Sequence, residues 1–136
     1  MIALGIDPGY TPTGVVFLQG VISSLPSVVS EKLIKSKAKG LDRPLEIADQ
    51  ILSMVQIFAP EIIAIEGYSH GSTHGLVQSA ELGTTIRLML KASGRKWIDI
   101  QPTSLKKFVT GKGIVAKAFA SSDIPSVTCS SMLFKS

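Results

Sequence analysis

Two short apolar runs, each closed by an acid, constrain this chain more than any other feature. Ile2-Ala3-Leu4-Gly5-Ile6 ends in Asp7, and Pro8-Gly9 follows at once as a turn signal. Ile62-Ile63-Ala64-Ile65 ends in Glu66, and Gly67 follows. Both runs have the length of a strand. The second is continuously apolar rather than alternating, the pattern of a strand buried on both faces among parallel neighbours. If the two strands are parallel neighbours, both carboxylates stand at one edge of one sheet.

The segments between them fill out an α/β chain. Gly14-Val15-Val16-Phe17-Leu18 reads as a second strand, and Val28 to Ile34 as a third, so the simplest opening is an antiparallel meander. Lys32, Lys35, Lys37 and Lys39 then form a basic loop ending in Gly40. Asp42 reads as a helix N-cap with Pro44 tolerated in the first turn. Leu45, Ala48, Leu52, Val55 and Ala59 follow at helical spacing with Ile51 beside them, until Pro60 stops the helix. A small, polar loop from 67 to 75 leads into a second helix over Leu76 to Ala92, with Leu76, Ala80, Gly83, Ile86 and Leu90 as its apolar positions. Its small residues would admit a close neighbour. Trp97 to Ile100 reads as a last strand, and Pro102-Thr103-Ser104 can start a short helix through Val109.

Composition sets limits rather than a function. A chain of 136 residues, 45% apolar, suits one domain with a core of its own. Cys129 is the single cysteine, so no internal disulfide forms. No apolar run reaches the roughly 20 residues that span a bilayer, and the N-terminus lacks the basic start of a signal peptide. The expectation is a soluble cytoplasmic protein. The net charge of +4 permits a polyanionic partner without requiring one.

Asp7 and Glu66 carry the chemistry. Two carboxylates held close repel one another unless a cation lies between them. Mg²⁺ takes hard oxygen ligands and suits such a pair. Metal ions so placed can activate water and stabilise the leaving oxygen in phosphodiester cleavage. The bland alternative stands beside this one: Asp-Pro-Gly is a common turn whose Asp accepts backbone hydrogen bonds, and a Glu at a strand end is often merely solvated. The matching contexts of the two acids favour function.

Longer motifs surround both acids. Gly5-Ile6-Asp7-Pro8-Gly9 with Thr13-Gly14 resembles the opening of RuvC-type crossover junction endonucleases, the Holliday junction resolvases. Ile65-Glu66-Gly67-Tyr68-Ser69 with Ala80-Glu81-Leu82-Gly83 resembles the second acidic motif and following helix of their phage-type relatives. The stretch from Pro102 to Gly113 is similar to their third block, so the resemblance runs in order from residue 2 to about 113. It implies a ribonuclease-H-like α/β fold, a mixed five-stranded sheet made of a three-strand antiparallel meander plus parallel strands, flanked by helices. It also implies a metal-dependent endonuclease acting on branched DNA, usually as a homodimer, in recombination and repair. The cofactor would be Mg²⁺ or Mn²⁺, held by four acids.

By this resemblance Asp7 and Glu66 are catalytic and metal-binding. Tyr68 and His70 lie on the loop that enters the junction and would contact DNA. Lys106, Lys107 and Lys112 would follow the phosphate path. Read as residues alone, these lysines suit a solvated helix face equally well, and His70 and His74 suit a polar loop better than a metal site. The chain departs from the family after Gly113, where a helix should carry the last two acids. Ile114 to Ala120 is apolar instead except for Lys117, and Asp123 is the only acid after Asp99. The expectation is a nuclease domain over 1–113 and an atypical tail of the same domain over 114–136, from a truncated or altered reading frame. Asp123 is the stand-in metal ligand.

Two other functions compete. One is a catalytically weakened or inactive protein that still binds branched DNA. The other is an actin-like phosphate-binding fragment, since such proteins also open with a strand, Asp-x-Gly and a hairpin.

Overall fold

A computed structural model describes residues 1–9, 11–20, 24–68 and 75–102. Within them β1 (Ile2–Asp7), β2 (Thr13–Gln19) and β3 (Ser27–Ile34) form the expected meander. Then come α1 (Asp42–Phe58), β4 (Ile62–Glu66), α2 (Leu76–Ala92) and β5 (Ile98–Ile100). The five strands make one sheet in the order β3-β2-β1-β4-β5, with β1, β4 and β5 parallel. β4 is central between two parallel neighbours, which is why its residues needed to be apolar without alternation. The expected helix after Pro102 lies outside the described residues.

The register sorts the side chains. Leu4 lies opposite Phe17, Ile6 opposite Val15 and, on the other side, Ile6 beside Ile65. Opposed residues share a face, so Leu4, Ile6, Val15, Phe17, Ile63 and Ile65 form one apolar surface. Ile47, Ala48, Ile51 and Val55 of α1 and Leu82, Ile86 and Leu90 of α2 close over it as a single core. The rings of Phe17 and Phe58 meet at 4.5 Å between centroids.

α1 is turned somewhat from its expected face, whereas α2 buries Gly83, Ile86 and Leu90 as expected. In α1 the buried stripe is Pro44, Ile47, Ala48, Ile51 and Val55, while Leu45 is 51% exposed. Two stripes of nearly equal apolarity share Ala48 and Val55 on this helix, and only the position of the sheet chooses between them. In α2, Leu82 joins Gly83, Ile86 and Leu90 in the core, while Leu76 at the first turn is exposed. Asp42 is not the N-cap: Leu41 holds that position in a helical conformation, and Asp42 is the first helical residue, where its charge suits the positive end of the helix. At the other end Ala59 turns left-handed with φ 45° and donates its N–H to the Val55 carbonyl before Pro60. Proline has no N–H with which to continue the helix. Among the described residues, no helix is long and apolar enough to cross a membrane.

Candidate functional site

Asp7 is the last residue of β1 and Glu66 the last of β4. The strands are parallel, with Ile6 beside Ile65 in the register. One residue further along each strand, the two acids stand side by side on the face opposite the helices. Neighbouring strands are about 4.8 Å apart, so a single cation can reach both carboxylates. Asp7 is exposed and Glu66 half-buried.

Local chemistry keeps this strand edge open and shaped. Gly14 lies opposite Asp7 in the antiparallel pair. A Cβ there would stand 3.7 Å from the Asp7 Cβ and 4.0 Å from Leu33 Cδ2, so glycine leaves the flank of the carboxylate clear. Beyond Asp7, Gly9 lies close to Pro12: a Cβ at Gly9 would come within 2.8 Å of the Pro12 carbonyl oxygen. Thr13, fully buried, donates from Oγ1 to the Gly9 carbonyl at 3.0 Å and pins the turn.

The exit from Glu66 is pinned as well. Gly67 donates its N–H to the Ile100 carbonyl at 2.8 Å, extending the β4–β5 pairing past the acid. The Tyr68 hydroxyl lies 3.2 Å from Thr84 Oγ1 and 3.4 Å from the Ala80 carbonyl on α2. The ring packs against Gly83, where a Cβ would stand 3.4 Å from Tyr68 Cε1 and 2.8 Å from Arg87 Nη1. The Arg87 guanidinium lies 5.5 Å from the ring centroid and binds Asp99 Oδ1 of β5 through Nε at 3.0 Å and Nη2 at 2.9 Å. Its Nη1 is buried with no hydrogen-bond partner, and the face of Tyr68 supplies the compensating negative potential. The small residue at position 83 thus receives the close neighbour its place in the helix suggested.

Among the described residues, no group of three or more His, Cys, Asp and Glu comes together. Asp7 and Glu66 end adjacent parallel strands, and two carboxylates so placed suit a hard divalent cation. Mg²⁺ is commonly held by one or two carboxylates and completes its shell with water and phosphate oxygens. Of the other expected site residues, Tyr68 follows Glu66 by two positions and packs on α2, whereas His70, Lys106, Lys107, Lys112 and Asp123 lie outside the described residues, as does His74. Sequence reasoning assigned no role to Thr13, Gly14, Arg87 or Asp99. Thr13-Gly14 was visible as a motif, but only the strand register shows which acid it serves.

Comparison with known proteins adds an independent finding. Residues 3–123 match the family model described as crossover junction endodeoxyribonuclease RuvC. A curated relative, the crossover junction endodeoxyribonuclease RuvC of Frankia alni, is 28% identical over 122 residues, covering 87% of this chain and 61% of the relative. The chain thus spans less than two thirds of that relative's length. Among solved structures, Thermus thermophilus RuvC in complex with a Holliday junction substrate superposes with a TM-score of 0.73 at 19% identity, covering 98% of this chain and 89% of that one. The yeast mitochondrial Holliday junction resolvase superposes with a TM-score of 0.61 at 11% identity, covering 97% and 75%. At these identities the two structures speak for the fold, which is the ribonuclease-H-like α/β arrangement expected from the sequence.

Proposed function

Because the chain belongs to the RuvC family of crossover junction endodeoxyribonucleases, we propose that it is a structure-selective endonuclease that cleaves phosphodiesters in branched DNA, with four-way junctions as the substrate class. The observation that supports this reading is the parallel register that pairs Ile6 with Ile65, each one residue before the acid that ends its strand. The same family membership disfavours the actin-like alternative.

Asp7 and Glu66 would hold a divalent cation, Mg²⁺ or Mn²⁺, with Asp123 as the proposed third ligand. When bound, such an ion stabilises charge developing on phosphodiester oxygens. The protein's own part is positional. Gly14 and Gly9 keep bulk away from the Asp7 carboxylate, and Thr13 holds the turn beside it. Either carboxylate can accept a hydrogen bond from water and so orient it toward a phosphorus.

Tyr68, His70, Lys106, Lys107 and Lys112 are proposed to contact DNA. The Tyr68 hydroxyl is engaged on α2, so its contribution would come from the ring edge. The proposal further takes residues 1–113 as the nuclease domain and 114–136 as its tail, a homodimer as the working assembly, and the cytoplasm of a bacterium or a phage-infected cell as its place. The phage-type affiliation rests on the blocks at 65–69, 80–83 and 102–113.

The test is cleavage of a synthetic four-way junction with Mg²⁺ or Mn²⁺. Asp7→Asn and Glu66→Gln should each lose more than the roughly 10–100-fold that removal of an outer-shell partner costs a metal site. Equal cleavage by the wild type and both variants would overturn the assignment. A second reading, binding without turnover, is favoured by one observation: Asp123 is the only acid after Asp99. It predicts salt-dependent junction binding and no metal-dependent cleavage.

A further inference from the structure

The excess positive charge of this chain is concentrated in one place. Between residues 32 and 43 stand Lys32, Lys35, Lys37, Lys39 and Arg43 against the single acid Asp42. The rest of the chain is balanced, with nine basic and nine acidic residues, so this short segment accounts for the whole net charge of +4.

The fold gives the segment a direction. β3 ends at Ile34, which pairs with Thr13, and its neighbour Leu33 pairs with Gly14, which in turn pairs with Asp7. Leu33, Gly14 and Asp7 therefore form one row across the sheet, and the lysines begin where that row ends. β3 is two strands from β1, which is about 10 Å at the usual strand spacing. The basic segment and the acid pair thus occupy the same edge of the sheet.

The lysines are also presented rather than scattered. Ile34 is buried, Ser36 and Ala38 are half-buried, and Lys35, Lys37 and Lys39 between them are exposed, in step with Leu33. Ser36 donates from Oγ to Glu46 Oε2 on α1 at 2.8 Å, and the Ala38 N–H donates back to Ser36 Oγ at 3.0 Å. These bonds tie the inward side of the segment to α1. None of the three lysines has an ion-pair partner among the described residues. Lys35, Lys37 and Lys39 alternate with the half-buried Ser36 and Ala38, so the three exposed lysines follow one another along the outward side of the segment.

We propose that Lys35, Lys37 and Lys39 form a phosphate-tracking surface for a duplex arm of the DNA whose scissile phosphate lies at Asp7 and Glu66. This rests on the nuclease reading and extends it to a surface outside the motifs that define the family resemblance. The partner is double-stranded DNA rather than a lipid surface because the lysine segment shares its edge with the acid pair. A backbone leaving the pair toward β3 must pass it. Lysine at this spacing supplies point charges without base contacts, so the surface would strengthen binding without reading sequence.

The experiment measures binding of a labelled four-way junction over a series of KCl concentrations in EDTA. The proteins compared are the full wild-type chain and the triple variant Lys35→Gln, Lys37→Gln, Lys39→Gln. Each phosphate contact contributes about 0.9 to the slope of log affinity against log salt. The slope should therefore become shallower by about 2 to 3 in the triple variant, and the corresponding triple Lys→Arg variant should restore it. Lys37→Gln alone should remove about 1, which keeps the test open if the triple variant folds poorly. Cleavage by the triple variant at low salt and saturating protein should stay near the wild-type rate, because the acid pair is untouched. An unchanged slope in a variant of a protein that binds and cleaves junctions would overturn the tracking surface and leave the nuclease reading intact. A wild type that neither binds nor cleaves would overturn both. Loss of binding to phosphatidylserine vesicles with no change in DNA binding would assign the lysines to a lipid surface and end the proposal.

Discussion

Thr13 and Gly9 show how much of the site is set by single atoms. Thr13 Oγ1 holds the Gly9 carbonyl, and Gly9 in turn has no room for a methyl group beside the Pro12 carbonyl. The obstacle is backbone, which cannot swing aside as the end of a long side chain can. Gly9→Ala should therefore displace the turn that flanks Asp7. Overpacking of this kind costs about 1–3 kcal/mol, and a misplacement near 1 Å at a reacting group can cost about 100-fold in rate. Urea unfolding and single-turnover junction cleavage would be measured together, and the expected result is a modest loss of stability beside a loss of at least about tenfold in cleavage. A variant with wild-type cleavage would show that the turn has no part in placing Asp7. Gly83 is a different case, because the nearest atom to an added Cβ there is the end of the long Arg87 side chain rather than backbone.

At the scale of elements, α1 offers a clean contrast. Leu45 and Ile47 are both large, apolar and two residues apart, and the spacing pattern alone selects Leu45. The structure buries Ile47 to 1% exposure and leaves Leu45 in solvent. Ile47→Ala should cost about 2–5 kcal/mol as a core cavity. Leu45→Ala should stay within about 0.5 kcal/mol, since alanine also suits an exposed helix position. Chemical denaturation of both variants checks this, and a larger cost for Leu45→Ala than for Ile47→Ala would mean that α1 lies on the sheet by its other stripe. The strands were legible almost to the residue, because β1 and β4 are short, apolar and bounded by Pro8-Gly9 and Gly67. Both helices were legible in extent and α2 also in rotation, whereas the rotation of α1 was not, because α1 carries more apolar residues than one face can bury.

For the molecule as a whole, folding and metal binding should be linked. The acid pair exists only when β1 and β4 are paired, so a cation held there binds the folded chain and not the unfolded one. Such binding stabilises by about 2.7 kcal/mol when the ion is present at 100 times its dissociation constant. The Tm of the wild type should rise with Mg²⁺ or Mn²⁺ in thermal melts, and a chain carrying both Asp7→Asn and Glu66→Gln should lose that rise. A metal-dependent Tm that survives the double substitution would place the cation elsewhere. The Arg87–Asp99 bridge, with Asp99 half in solvent, belongs to the same scale but contributes little to stability by itself. Its part is to tie α2 to β5 alongside the Tyr68 contact.

The sequence by itself determined the alternation of strands and helices, the two acids at strand ends and the motifs that carry the family resemblance. These are local properties: apolar run length, turn residues and spacing along one chain. Only the tertiary structure decided that Asp7 and Glu66 are neighbours, that Gly14 lies against Asp7, and that the lysines after β3 share their edge. Those facts depend on which strand pairs with which and in what register. Pairing is a contest between distant segments for the same hydrogen bonds and the same buried face, and neither segment records its partner.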